Sequence, residues 1–248
     1  MAHRGHRAAY PEQTLPAFQA AIDLGCRAIE ADVQLTRDGQ LVMMHDLTLG
    51  RTTDGSGLVE ETTLDELRGL DAGGWFAPEF AGTRVPTMDE LLDLAVANDV
   101  TLCLEVKGTA ATAPPTAIAM AERLRARGLV DRMFMSSFDH DALAAARRVV
   151  DDLLLAPERL PDDAPPDADE AVRQARAIGA TVLQHRWEYL TPVVVDALHD
   201  AGVAVWAWPT DTAESIEMSF QCGVDGVIGD DVAWLLEVVG TAAGVARP

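Results

Sequence analysis

Glu30 and Asp32 close one apolar run, 27-RAIEADV-33, and Glu105 with Lys107 closes another, 100-VTLCLEV-106 and the residue after it. Side chains two apart on a strand project from one face, so each pair aims both of its groups at one place. Carboxylates gathered from neighbouring strand ends repel one another unless a cation joins them. Hard divalent ions take oxygen ligands, so Glu30, Asp32 and Glu105 suit one divalent metal, Ca²⁺ or Mg²⁺ with Mn²⁺ as a third choice, better than a thiophilic ion does. For 30-EAD-32 taken alone, the ordinary alternative is a pair of solvated charges on a half-exposed strand.

Lys107 is the only lysine in the chain; the other 18 of the 19 basic residues are arginine. A compact ammonium beside a metal binds phosphate where a planar guanidinium does not fit. The alternative is a surface ion pair with Glu105, which contributes little. His3, followed by Arg4, closes the first short run, and His45 closes another. Neutral imidazole takes or gives a proton near neutral pH, so two histidines flanking a scissile bond make a base and acid pair. His6 follows His3 closely and is expected only to line the mouth. His140, His185 and His199 have no such neighbours and are read as structural.

The elements that must hold these groups alternate in type. Strand candidates cover 2–5, 27–33, 100–106, 132–137, 152–156, 180–184, 203–208 and 224–228. Amphipathic helical stretches cover 14–25, 87–99, 114–128, 139–150, 167–179, 191–202, 211–223 and 231–239. Thr14, Thr87, Asp139, Thr191 and Asp211 are candidate N-caps, and Gly25, Gly128, Gly179, Gly202 and Gly223 are candidate stops. Eight strands each followed by a helix is the pattern of an α/β (β/α)₈ TIM barrel, whose strand ends converge on one mouth. A doubly wound sheet is the runner-up, but no Gly-rich nucleotide loop follows the first strand. An extra strand at 41–45 and residues 46–86, with a short helix near 63–67 and the aromatic loop 74-GWFAPEFAG-82, read as an insertion after the second barrel strand. The whole of 1–248 is then one barrel domain. The Pro- and Asp-rich stretch 157–170 reads as a solvated loop.

Forty acidic against 19 basic side chains give a net charge of −21, spread along the chain. Such a balance argues against a nucleic-acid surface. It suits a protein adapted to high salt, where screening suppresses repulsion between surface carboxylates; a compositional bias of the genome is the other explanation. The apolar runs fall short of a membrane span, so no stable membrane anchor is expected. Met1–Gly5 leads straight into polar sequence without a secretory apolar region, which points to the cytoplasm. Cys26, Cys103 and Cys222 lack CxxC spacing; Cys26 and Cys103 read as buried free thiols. Nothing in the sequence fixes the oligomeric state.

Taken in order, 3-HRG-5, 11-PEQT-14, 30-EAD-32, 36-TRDG-39, 45-HD-46, 51-RTTDGSG-57, 105-EVK-107, 136-SSF-138 and 223-GVDGVIGD-230 run the length of the chain. This series resembles the glycerophosphodiester phosphodiesterase family. The resemblance implies a TIM barrel with a small insertion after the second strand. It also implies metal-dependent hydrolysis of glycerophosphodiesters, such as glycerophosphocholine or glycerophosphoethanolamine, to glycerol 3-phosphate and an alcohol, a reaction of glycerol and lipid metabolism. It makes Glu30, Asp32 and Glu105 the metal ligands, His3 and His45 the acid/base pair, and Arg4 and Lys107 the phosphate contacts. Glu12 and Asp46 become residues that orient histidines or ligands. The attacking oxygen is either water or the substrate's own glycerol hydroxyl, through a cyclic phosphate.

The chain departs from the family at three places: 11-PEQT-14 for PENT, GVIGDDV for the common GIITDxP, and 206-WAWPT-210 where WTVN is common. Trp75, Phe76, Phe80, Trp206 and Trp208 are candidates to wall a pocket for the alcohol end, with Trp206 placed against the substrate; their alternative is core and loop packing. Two other functions share these residues: a lysophospholipase D-like or other phosphodiester hydrolase, and a catalytically silent phosphodiester-binding protein.

Overall fold

The computed structural model describes residues 1–159 and 167–243. Among them the strands are β1 (Ala2–His3), β2 (Ala28–Leu35), β3 (Leu41–Met43), β4 (Thr101–Val106), β5 (Phe134–Ser136), β6 (Leu154–Leu155), β7 (Val182–Arg186), β8 (Ala204–Trp208) and β9 (Gly226–Val227). The helices are α1 (Leu15–Asp23), α2 (Leu64–Arg68), α3 (Met88–Ala97), α4 (Ala113–Arg127), α5 (His140–Val149), α6 (Ala168–Ala177), α7 (Pro192–Asp200), α8 (Ala213–Cys222) and α9 (Val232–Ala243).

All but β3 run parallel, in the order β1-β2-β4-β5-β6 and β7-β8-β9. Single parallel bridges span the two seams between these arcs, Ala2 with Gly229 and Glu158 with Gln184. The expected TIM-barrel order is therefore present, with continuous ladders in two arcs. β3 pairs antiparallel with β2 and opens the inserted segment. That segment carries its own apolar cluster, including Val42, Leu49, Val59, Leu67 and Val85, and so stands against the sheet without drawing on the barrel's core.

Local chemistry sets the boundaries. Thr87 and Glu90 form a capping box that starts α3, and α4 stops at Gly128 with φ 64°, a left-handed position that glycine takes at little cost. One expected cap is displaced: Thr212, not Asp211, caps α8, with Ser215 completing the box. Asp211 is released to receive the backbone N–H of Asp230 at 2.6 Å and to line the mouth.

The barrel interior below the mouth is apolar, with Cys103, Phe134, Ala156, Val182 and Trp206 in one layer. Trp206 was expected against substrate; it instead meets Phe134 edge-on, ring centroids 5.0 Å apart, and is absent from the lining of the mouth. The reason is the strand period: Trp206 and Trp208 share a face, but Trp206 lies one pleat deeper. The stretch 157–170, expected as a solvated loop, is not exposed at its start. Glu158 and Arg159 are buried, because β6 feeds them into the barrel's end, while 160–166 lie outside the described residues. All three cysteines are buried and free.

Candidate active site

Register in the sheet brings the site together. His3 is the ladder partner of Glu30 across β1 and β2, and Asp32 is the partner of Glu105 across β2 and β4. Glu30, Asp32 and Glu105 each offer an oxygen within 4.8 Å of the others, and all three are buried. Among the described residues, neither Glu30 carboxylate oxygen accepts a hydrogen bond, nor does Asp32 Oδ1. Buried carboxylate oxygens without donors are costly, and a hard divalent cation satisfies them together. The donor set thus fits the metal that the sequence suggested.

Without a cation the triad cannot hold all its negative charge. Burial, then Asp32 and Glu105, push Glu30 well above the usual carboxylate range. Burial and the Asp32 charge raise Glu105 to about 7 despite Lys107 beside it. Asp32 goes the other way: burial opposes its ionisation, but Lys107 and Arg4 together hold it well below the ordinary value. Lys107 Nζ donates to Glu105 Oε1 at 2.5 Å and lies 3.2 Å from Asp32 Oδ1. Arg4 Nε lies 3.1 Å from Asp32 Oδ2.

Arg4 adopts φ 58° and Gln13 φ 61°, left-handed conformations that are uncommon for residues with a Cβ. The backbone is held there by Arg4 N–H donating to Glu30 O and Gln13 N–H donating to Arg4 O. Gly5 explains the glycine of 3-HRG-5, since a Cβ there would stand 2.6 Å from the Ala17 backbone at the start of α1. Gln13, the departure from PENT, donates from Nε2 to Asp32 Oδ2 at 2.6 Å and so keeps an amide on the metal triad.

Both histidines face the cavity with one nitrogen tied back. His45 Nδ1 lies 2.6 Å from Asp46 Oδ1, and His3 Nδ1 lies 2.6 Å from Asp230 Oδ1. In each ring Nδ1 is the nitrogen held by an aspartate, and His3 Nε2 stands 3.8 Å from Glu30 Oε2. Burial lowers the pKa of His45, against the pull of Asp32, so its neutral form prevails at physiological pH. Asp46 pairs with His45 and Glu12 with Arg4, and Arg51 connects the two acids: it binds Glu12 at 2.8 and 3.0 Å and Asp46 at 2.6 and 2.9 Å. Glu12 accepts from Arg4 at 3.0 Å. Despite its burial, Glu12 is held at about 2 by Arg51 and Arg4.

The cavity these residues line measures about 410 Å³ and includes His3, Arg4, Glu30, His45, Glu105 and Lys107. Of the ten site residues expected from sequence, Glu12, Asp32 and Asp46 support the lining from behind, and Trp206 alone lies apart. Trp208 and Pro209 of 206-WAWPT-210 are in the wall. The aromatics Trp75, Phe76 and Phe80 pack on one another and on Tyr10, away from it. His6 is buried and accepts from Val232 N–H at 3.3 Å, a structural role.

Sequence reasoning missed Arg51, Glu158 and Asp230. Arg51 and Asp230 stood inside quoted motifs, and Asp230 follows the last strand, where a barrel places its working groups. Glu158 follows β6 in the same way but was hidden in a Pro/Asp-rich stretch. Among the described residues no helix is long and apolar enough to cross a membrane.

The sequence profile of the Glycerophosphoryl diester phosphodiesterase family matches residues 3–233. A glycerophosphodiester phosphodiesterase of Caldanaerobacter subterraneus subsp. tengcongensis is 34% identical over 242 residues, covering 96% of each chain. One of Bacillus altitudinis is 31% identical, covering 92% of this chain and 93% of its own. Among solved structures, an Oleispira antarctica phosphodiesterase in complex with the product sn-glycerol-3-phosphate superposes with a TM-score of 0.86 at 28% identity, covering 96% of this chain and 95% of that one.

Proposed function

This chain belongs to the glycerophosphoryl diester phosphodiesterase family and is a phosphoric diester hydrolase, and from that premise we propose that it cleaves glycerophosphodiesters to glycerol 3-phosphate and an alcohol with a divalent metal and the His3/His45 pair. The observation that carries this reading is the convergence of three buried carboxylates, two of them (Glu30 and Asp32) with oxygens that accept no hydrogen bond among the described residues, between two histidines, each tied back by an aspartate.

Glu30, Asp32 and Glu105 would hold the metal, with Ca²⁺, Mg²⁺ and Mn²⁺ all suited to oxygen donors. Bound there, such an ion supplies Lewis-acid stabilisation of charge on the phosphoryl oxygens. Arg4, Arg7 and Lys107 line the cavity and, together with a bound cation, would offset its carboxylates for an anionic diester in a chain of net charge −21. Arg4 and Lys107 carry the non-bridging oxygens. His45, neutral through burial, is the base: Asp46 fixes its Nδ1 and turns Nε2 to the attacking hydroxyl. His3 is the acid, with Asp230 as counter-ion to its imidazolium, and protonates the leaving alkoxide. Acid–base help of this kind is worth about 10²–10⁴-fold in rate.

The test is release of glycerol 3-phosphate from glycerophosphocholine, measured with Ca²⁺, Mg²⁺ or Mn²⁺ and with EDTA, at low and at molar salt. Metal-dependent release supports the reading; no release under any of these conditions overturns it. The salt adaptation read from the composition stands as a proposal beside it.

A further inference from the structure

Among the described residues the cavity is lined by Arg4, Arg7 and Lys107 as its basic side chains, and two of them are closely engaged. Arg4 donates to Glu12 at 3.0 Å and lies 3.1 Å from Asp32, and Lys107 lies 2.5 Å from Glu105 and 3.2 Å from Asp32. Arg7 differs. Its Nε lies 3.4 Å from Asp230 Oδ2, its Nη1 3.5 Å from His3 Nδ1 and its Nη2 3.8 Å from Glu12 Oε2. Each nitrogen faces a partner, but none comes within the about 2.7–2.9 Å of a charge-assisted hydrogen bond. The fork can therefore turn to an anion in the cavity without breaking a short contact. Its backbone is held, because the next residue, Ala8, donates its N–H to Asp230 O at 3.3 Å.

Position decides which anion that is. Arg7 stands beside His3, the acid of the proposed reaction, and so on the side from which the alcohol departs. Over the hydrolysis an oxygen of water bonds to phosphorus, the bond from phosphorus to the alcohol oxygen breaks, and His3 supplies the proton that turns the alkoxide into alcohol. The diester carries one negative charge, and the monoester left behind carries nearly two at neutral pH and above. While the alcohol is in place it covers the phosphoryl group on the Arg7 side. Once it has gone, a planar guanidinium can take two phosphoryl oxygens there.

Two carboxylates sharpen the distinction. Asp211 and Asp230 both line this side of the cavity, joined by the Asp230 N–H donating to Asp211 Oδ1 at 2.6 Å. Coulomb repulsion scales with charge, so they oppose a dianion about twice as strongly as a monoanion. A dianion is held there only with Arg7 in contact.

We propose that Arg7 is a specificity-determining residue for phosphomonoester dianions: it binds glycerol 3-phosphate in preference to the diester, so the enzyme is inhibited by its own product. This deepens the phosphodiesterase reading and rests on it, with Arg4 and Lys107 serving the oxygens that diester and monoester share.

The experiment measures competitive inhibition of glycerophosphocholine cleavage at pH 8, with the metal that supports turnover, by methyl phosphate and by dimethyl phosphate. The two differ by one methyl group and one charge. Their Ki ratio within each protein cancels any general loss of activity or of folded fraction. Arg7→Gln is expected to lower the preference for methyl phosphate by at least about tenfold, and to raise the Ki of glycerol 3-phosphate by a similar factor. Arg7→Lys keeps the charge without the fork and is expected to fall between. A variant too slow to assay is titrated with the same two esters by calorimetry. A ratio unchanged in Arg7→Gln, or in Arg7→Lys should the first variant not fold, overturns the inference and leaves the phosphodiesterase reading intact. An equal rise in both Ki values does the same, since it marks a general phosphate contact. No turnover of glycerophosphocholine by the wild type overturns the phosphodiesterase reading and the inference with it.

Discussion

Arg51 grips the Glu12 carboxylate through both terminal nitrogens, at 2.8 and 3.0 Å, while its Nε reaches Asp46 at 2.6 Å. One side chain thereby fixes two different parts of the site. Through Asp46 it sets the His45 ring, and through Glu12 it sets Arg4 beside Asp32. A lysine offers one point charge and cannot serve both forks. Arg51→Lys is expected to lower kcat about 10–100-fold, the usual cost of losing a group that orients metal ligands and their neighbours. Steady-state kinetics check this, together with partial recovery of Arg51→Ala by added guanidinium. A lysine variant as active as wild type would show that charge alone suffices.

Lys107 poses the converse substitution. Its ammonium fits between Glu105 and Asp32, 2.5 and 3.2 Å from their oxygens, in a pocket sized for a compact charge. Lys107→Arg is expected to reduce kcat/KM by at least about tenfold, since the planar group cannot take the same position. Kinetics with glycerophosphocholine decide it. Unchanged kcat/KM would mean that the single lysine of this chain is an accident of composition.

Asp230 holds His3 by Nδ1 at 2.6 Å. In Asp230→Asn the His3 imidazolium that the reaction needs loses its counter-ion, and an amide donating to Nδ1 favours the neutral ring, whose Nε2–H is a much poorer acid. The expected loss in kcat is about 10²-fold or more, with KM changed by less than about threefold. The discriminating readout is a substrate with an activated leaving group, such as a nitrophenyl diester, which needs less protonation and should lose less. An equal loss for both substrates would indicate a structural role instead.

How much of this was legible beforehand depends on the type of signal. The triad, the two histidines and Lys107 were placed at strand ends because the strand period of two and the barrel's strand-end rule act locally on sequence; the role of Arg4 came from family resemblance. Glu12 and Asp46 came from family resemblance alone. The depth of Trp206 was not readable, because periodicity tells which face a residue takes but not how far along the strand the mouth begins. Asp211 looked like a cap because it precedes a helix, yet Thr212 takes that task. Glu158 was read as solvent-exposed from its Pro- and Asp-rich neighbours, although its burial is set by the end of β6. Arg51 joins residues 5 and 39 positions away, a relation that only the folded chain displays.

The charge state of the triad gives a pH dependence. Glu105 is raised from 4.5 to about 7 in the metal-free protein. A carboxyl with a raised folded pKa binds more protons folded than unfolded, so the Glu105 contribution to metal-free stability falls as pH rises from about 4.5 to about 7. A divalent cation competes with those protons and binds the ionised form. Its stabilising effect is therefore expected to be larger at pH 8 than at pH 5.5. Thermal melts with and without Ca²⁺ or Mg²⁺ measure it; each 1 kcal/mol of binding stabilisation moves the melting temperature by about 2–4 °C in a chain of this size. Equal shifts at both pH values would contradict the assignment.

The most direct measurement is divalent-metal binding by titration calorimetry, run beside glycerol 3-phosphate release, for wild type and Glu30→Gln. Glu30 is the right probe because neither of its carboxylate oxygens has a hydrogen-bond donor among the described residues to lose. Wild type is expected to bind one ion per chain and to turn over only when it is loaded, and Glu30→Gln to lose both. A Glu30→Gln protein that binds the ion and releases glycerol 3-phosphate like wild type would contradict the account.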